Sequence, residues 1–182
     1  FEGESREIAA QCAGITLHLG LRPGMAVADI GAGTGLFMGE LARSVGPEGR
    51  VYAVEIAPAF VEHLRRRAAE AGLEQVEVVQ CSERSVGLPP DSLDAALVCD
   101  TYHHFEYPQS TLASLRSALK PGGLLAVVDF ERLPDSRPWV LEHVRAGSEQ
   151  VIAEIEAAGF RLVDRPDVGG LEENYLLRFV RP

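Results

Sequence analysis

The chain has 182 residues, 46% hydrophobic and 24% charged, with a mean hydropathy of +0.02; these are the proportions of one ordinary globular domain with a single core. Its 17 Lys and Arg against 27 Asp and Glu leave a formal net charge of −10, a surface that repels phosphate backbones and disfavours nonspecific nucleic-acid binding. No apolar run approaches the roughly 18 residues that span a bilayer, so no membrane helix is expected.

Ile8, Cys12, Ile15 and Leu19 recur at helical spacing until Arg22-Pro-Gly24 stops the pattern. Residues 1–23 thus read as a helical lead-in and 24–182 as the core of one domain. Met25 to Ile30 is a first buried strand, followed by a glycine loop and a helix from about Leu36 to Ser44. After the turn Gly46-Pro-Glu-Gly49 comes a second strand, Val51 to Glu55. Pro58 opens a helix that runs to Ala71, and Gly72 closes it. Val76 to Val79 and Asp94 to Val98 are the third and fourth strands, separated by the loop Leu88-Pro-Pro-Asp-Ser92. A helix from Pro108, carrying Leu112, Leu115 and Leu119, ends at Lys120-Pro-Gly-Gly123, and Leu124 to Phe130 is the fifth strand. A late helix spans about Ser148 to Ala158. Phe160 to Val163 and Tyr175 to Val180 are the last two strands.

Strands alternating with helices define an α/β architecture. The central strands lack polar alternation, as strands covered on both faces do. The final pair is joined by a loop, Asp164 to Gly170, that permits antiparallel pairing. Cys12, Cys81 and Cys99 have no CxxC spacing and read as buried free thiols. Arg65, Arg66 and Arg67 read as the solvated face of a helix. The chain opens on Phe1, which leaves an upstream targeting segment open; the cytoplasm is the default location.

The sharpest signal is Val27-Ala-Asp-Ile-Gly-Ala-Gly-Thr-Gly35, where a strand passes into a helix. Glycines there allow close backbone approach to a ligand, and doubly wound sheets bind nucleotides at this point. A dinucleotide fingerprint needs GxGxxG, but its third glycine position holds Leu36 and the glycine comes one residue early. Asp29 would repel a pyrophosphate and suit an ammonium group instead. Glu55, at the end of the second strand, can accept hydrogen bonds from ribose hydroxyls.

These segments resemble the class I S-adenosylmethionine-dependent methyltransferases. Asp29-Ile-Gly-Ala-Gly-Thr-Gly35 matches their first motif and Val51-Tyr-Ala-Val-Glu55 their second. Asp94-Ala-Ala-Leu-Val-Cys-Asp100 matches the fourth strand, and Leu119-Lys-Pro-Gly-Gly123 the turn before the fifth. The resemblance implies a Rossmann-like three-layer sandwich whose seven-stranded sheet has the order 3-2-1-4-5-7-6, with strand 7 antiparallel. It implies S-adenosyl-L-methionine as cofactor, with Gly31, Ala32, Gly33 and Gly35 lining its methionine and ribose end. Asp29 would serve the ammonium group, Glu55 the ribose, and Ile56 the adenine face. The family often has an Asp after the third strand for the adenine amino group. Here Ser82 and Glu83 stand in its place. Asp100 completes the expected cofactor set.

Cys99-Asp-Thr-Tyr-His-His-Phe105 would face the sulfonium and the acceptor, which makes Tyr102, His103 and His104 the catalytic candidates. Because adjacent histidines are not expected to point the same way, one of the two is expected to be structural. Further candidates are Asp129, Glu131, Arg132, His143 and Arg145, with Glu131 and Arg132 expected to pair with each other. His103, His104, Asp129 and His143 could together ligate a divalent ion, but no diagnostic spacing supports one and no metal is expected. The leading expectation is methyl transfer to a small molecule, with oligomeric state open. The alternatives are a protein or RNA methyltransferase acting with a partner, a noncatalytic cofactor-binding module, and a nicotinamide-dependent oxidoreductase disfavoured by Leu36.

Overall fold

The computed structural model describes residues 6–182; the first five residues of the lead-in lie outside the described residues. The elements, in chain order, are α1 (Arg6–Ala10), α2 (Cys12–Leu17), β1 (Ala26–Ile30), α3 (Met38–Val45), β2 (Arg50–Glu55), α4 (Pro58–Glu70), β3 (Val76–Gln80) and β4 (Leu93–Cys99). A 3₁₀ turn (Tyr102–His104) follows, then α5 (Pro108–Ala118), β5 (Leu119–Phe130), α6 (Pro138–His143), α7 (Ser148–Ala157), β6 (Arg161–Asp164) and β7 (Asn174–Val180). The strands form one sheet of order β3-β2-β1-β4-β5-β7-β6. All neighbours are parallel except β7, which runs antiparallel to both β5 and β6. This is the expected topology.

The strands sort their side chains by parity, as a period of two requires. Val27, Val51, Ala95, Leu97, Ala126 and Val128 pack toward α1, α2 and α3 through Ile8, Ile15 and Leu41. Ala28, Val54, Ala96, Val98, Leu125 and Val127 pack toward α5 and α7 through Leu112, Leu115, Val151 and Ile155. α4 lies over β2 and β3, with Leu64 and Ala68 against Ala53. The chain thus winds outward from β1 along one face and from β4 along the other. The crevice between the carboxyl ends of β1 and β4 is the reversal point, where open α/β sheets place ligands.

Several boundaries differ from the periodicity. The lead-in stripe is broken at Gln11, whose backbone leaves helical geometry (ψ 12°), and becomes two short helices. β5 begins at Leu119 rather than Leu124, because Leu119 pairs with Leu93 before a bulge that absorbs the Lys120-Pro-Gly-Gly segment. Of the thiols only Cys99 is buried; Cys12 and Cys81 are half-buried. Burial, reinforced by nearby acids, still raises both of those to about 11, which favours the protonated thiol.

Asp94 ties the opposite, amino-terminal end of the sheet together. One carboxylate oxygen accepts the Ala26 N–H at 2.8 Å, where β1 begins, and the other accepts from Lys120 Nζ at 2.7 Å across the β5 bulge. Burial works against its charged form, but these partners hold its pKa below the ordinary carboxylate value. A depressed pKa adds stability above the unfolded-state pKa and loses it as pH falls through the folded-state value. Asp94→Ala is therefore expected to cost about 1–3 kcal/mol at pH 7, with a smaller difference from the parent at pH 3, read from urea melts at both values.

Candidate functional site

The glycine loop is held from below and from both sides. The Gly31 and Ala32 N–H groups both donate to Val54 O, at 2.8 and 3.0 Å, and Gly35 N–H donates to Ala32 O at 2.8 Å. Gly33 N–H donates to Glu55 Oε2 at 2.9 Å. Glu55 Oε1 in turn accepts from the N–H groups of Ile56 and Ala57, at 2.8 and 2.9 Å. The carboxylate at the end of β2 thus clasps the loop at the end of β1. Arg67, expected on a solvated helix face, reaches from α4 to donate to Thr34 O at 2.6 Å.

The glycines divide their work. A Cβ on Gly31 would fall on the Thr101 side chain, and one on Gly35 would meet Leu64 Cδ2 at 2.8 Å. Gly31 therefore lets the β4 loop close on β1, and Gly35 lets α4 dock. Gly33 has φ +52°, and its missing Cβ would meet nothing nearer than Gly31 O at 3.9 Å. Of the three, Gly33 is the one that leaves room for a ligand. Gly35 also serves helix packing, and the Ala32 side chain is buried against Met38 and Leu64 while its N–H donates to Val54 O.

Asp29 is 3% exposed, and no described residue hydrogen-bonds its carboxylate. Burial, together with the neighbouring charge of Glu55, raises its pKa to about 7. A buried carboxylate left without donors is costly unless a cationic or hydrogen-bond-donating ligand completes it. Ile56 projects beside Glu55 with 42% exposure, an apolar surface at the mouth of the crevice. Ser82 and Glu83 are exposed at the end of β3. Ser82 makes a bridge to Ser85, and Glu83 O accepts from Thr111 Oγ1.

Asp100, just past β4, has φ +51°, and Thr101 Oγ1 donates to Cys99 O at 2.9 Å. The 3₁₀ turn that follows is where the structure departs most from expectation. Tyr102 is 1% exposed, and its phenol donates to Glu154 Oε2 of α7 at 2.9 Å. Tyr102, a catalytic candidate by sequence, is thus enclosed with its hydroxyl held by α7. Burial and the Glu154 partner both raise its pKa.

His103 and His104 do not diverge. Their ring centroids lie 4.0 Å apart, and α6 brings His143 to 5.3 and 5.0 Å from them. The expectation that one is turned away is overturned, because the tight turn carries both imidazoles to the same side. His103 Nδ1 pairs with Asp129 Oδ1 at 2.7 Å, and its backbone N–H donates to Asp129 Oδ2 at 3.1 Å. Burial pushes the His103 pKa down, but the Asp129 carboxylate outweighs it and the net shift is upward. The His104 pKa is lowered, by burial first and then by His103 and His143. Phe130 and Trp139, edge to face at 4.8 Å, form an apolar wall beside the group.

The remaining candidates on this side are engaged by neighbouring groups. Glu131 does not pair with Arg132; it accepts from Ser148 N–H and Oγ at the start of α7 and from Arg165 at 2.6 Å. Arg132 donates to Leu141 O at 3.1 Å, and Arg145 is bidentate on Glu154, at 2.8 and 2.7 Å.

A crevice at the β1–β4 reversal, with an open glycine, a donor-free buried acid and a strand-end acid, defines a nucleoside-binding α/β domain. Residues 27–123 match the methyltransferase domain family, just over half of the chain, and the chain belongs to the class I S-adenosylmethionine-dependent methyltransferases. It is 34% identical over 130 residues to an uncharacterized 37.1 kDa protein of transposon TN4556 in Streptomyces fradiae, covering 66% of this chain and 37% of that one. It is 32% identical over 113 residues to the ubiquinone/menaquinone biosynthesis C-methyltransferase UbiE of Bordetella avium, covering 62% and 44%. The chain thus spans less than half the length of these curated relatives. A solved SAM-dependent methyltransferase from Aquifex aeolicus superposes with a TM-score of 0.87 at 26% identity, covering 98% of this chain and 94% of that one. S-adenosylmethionine is the cofactor of the family. No helix among the described residues is long and apolar enough to cross a membrane.

The raised pKa of Asp29 gives a signed prediction. Between the unfolded value of 3.8 and about 7, the folded state holds a proton that the unfolded state has lost, so this group makes stability fall as pH rises through that window. Asp29→Asn removes the effect. The variant free of cofactor is expected to match the parent near pH 4 and to exceed it by about 1–3 kcal/mol at pH 8, measured by thermal melting.

Proposed function

We propose that this domain transfers the methyl group of S-adenosylmethionine to a small-molecule acceptor bound over the histidine face. The observation that carries the reading is the joining of the two halves of the crevice. Gly31, which closes the cofactor loop, packs directly on Thr101, one residue from the 3₁₀ turn that bears His103 and His104. The C-methyltransferase name of the UbiE relative supports a small acceptor. The net charge of −10 supports an acceptor other than nucleic acid.

The residues present suit the cofactor. Glu55 has donors on both oxygens already, but two carboxylate oxygens offer about four acceptor sites in all, which leaves room for a ribose hydroxyl. Asp29 supplies a buried carboxyl group whose charged form an ammonium group would stabilise, Gly33 the open approach, and Ile56 the surface for adenine. Ser82 and Glu83 border the adenine end, and Asp100 the end nearest the histidines. When bound, the cofactor supplies an electrophilic sulfonium methyl. The protein's share is alignment, which makes the encounter effectively intramolecular, and removal of the acceptor's proton at the histidine face. His103, oriented by Asp129, and His104 are the residues assigned to that second task.

Incubation of the protein with S-adenosylmethionine and fractionated metabolites is expected to release S-adenosylhomocysteine together with a newly methylated small molecule. Release seen only with protein or RNA fractions would transfer the reading to a macromolecular methyltransferase, and tight cofactor binding with no release in any fraction would make the domain a binding module. Glu55→Gln keeps an acceptor oxygen toward the loop but loses the charge. It is expected to weaken cofactor binding by about 1.5–3 kcal/mol, the range for hydrogen bonds to charged groups, as read by calorimetry; unchanged affinity would contradict the ribose assignment.

A further inference from the structure

We propose that His103, His104 and His143 form a three-histidine site for a divalent transition metal of the zinc type, with Asp129 as its supporting carboxylate. One ring nitrogen from each of the three lies within 4.8 Å of the others. A tetrahedral zinc site with Zn–N of about 2.0–2.1 Å needs its nitrogens ~3.4 Å apart. His104 and His143 are exposed and can make that adjustment by side-chain rotation, whereas His103 is fixed. Its Nδ1 is tied to Asp129 at 2.7 Å, with 4% and 2% of the two side chains exposed, which leaves Nε2 to present a lone pair. A carboxylate behind a ligating imidazole sets its tautomer, orientation and basicity, the usual support of a metal-bound histidine.

Two more observations favour a cation. Asp100 and Asp129 both bring a carboxylate oxygen within 4.8 Å of a His103 ring nitrogen, so negative charge lies under the imidazoles. Phe130 and Trp139 wall the group on one side, with centroids 6.4 Å from His103 and 6.5 Å from His143, respectively, and an apolar shell of this kind limits water. The all-nitrogen donor set suits zinc and its neighbours rather than magnesium or calcium, which take oxygen. Three protein ligands leave a fourth position open, the arrangement of catalytic rather than structural zinc.

The site deepens the proposed function and rests on it only for its use. An acceptor O–H or S–H that takes the open position gives its proton to solvent water, and the electron pair left on oxygen or sulfur is held by the ion. In the metal-loaded protein His103 and His104 would serve the removal of the acceptor's proton as ligands of the ion rather than as bases themselves.

The test is equilibrium dialysis of the chelator-treated full chain against Zn²⁺, with Co²⁺ substitution read in the visible spectrum. One equivalent of Zn²⁺ is expected, with tetrahedral Co²⁺ bands. His143→Ala, at an exposed position, is expected to weaken Zn²⁺ binding at least 10-fold with S-adenosylmethionine affinity unchanged, and Asp129→Asn by about 10–100-fold. Binding of less than one equivalent, octahedral Co²⁺ bands, or Zn²⁺ affinity indifferent to His143→Ala would overturn the site. Stoichiometric Zn²⁺ without methyl transfer would leave the site standing and refute the enzyme reading. Methyl transfer by a chain that takes up no Zn²⁺ would do the reverse.

Discussion

The Glu55 carboxylate is the contact on which the rest of the site depends. It joins the first turn after β1 to the first turn after β2 by accepting three backbone N–H groups, from Gly33, Ile56 and Ala57. Charge-assisted hydrogen bonds of this kind are stronger than neutral ones, and here, with the Val54 carbonyl, they tie the loop to the β2 terminus. Once the loop is in place, Gly31 can meet Thr101 and the β4 terminus is brought to the same crevice. The negative charge needed for the clasp has a cost, since it adds to the burial that raises Asp29. The crevice thus holds two neighbouring acids, an electrostatic arrangement that a cationic ligand would balance.

On the acceptor side the organising contact is Asp129 with His103. Asp129 is at the carboxyl end of β5 and His103 follows β4, so the parallel pairing of these strands brings acid and imidazole together without any closeness in sequence. α6 adds His143 from a third segment. Three imidazoles gathered over two carboxylates, beside an apolar wall, are more than a turn needs for its own stability.

Much of the fold was legible in the chain itself. The apolar β1, β4 and β5 segments, Pro58 and Pro108 at helix starts, and Gly72 and Gly159 at helix ends each carry a local physical signal, and the elements lie within a few residues of where those signals place them. The glycine loop and Glu55 were legible because their spacing follows from one strand, one turn and one helix. The boundary errors arose where tertiary pairing overrides local preference, as at Leu119, which joins β5 ahead of a Pro-Gly-Gly segment that reads as a turn. The contacts of Gly35, Ala32 and Tyr102 were not legible, since each is made with a neighbour distant in sequence: Leu64, Val54 and Glu154. The histidines were named as candidates, but their convergence was not legible, for the same reason. His143 lies some forty residues from His103, so no ligand spacing marks it, and only the topology brings it near.

The central claim is that the crevice between β1 and β4 takes an adenosyl sulfonium. Calorimetric titration of the wild-type chain with S-adenosylmethionine, set beside NAD under the same conditions, addresses it most directly. One-to-one binding of S-adenosylmethionine with no heat from NAD is the predicted result; saturable binding of NAD, or no binding of S-adenosylmethionine by folded protein, would contradict it.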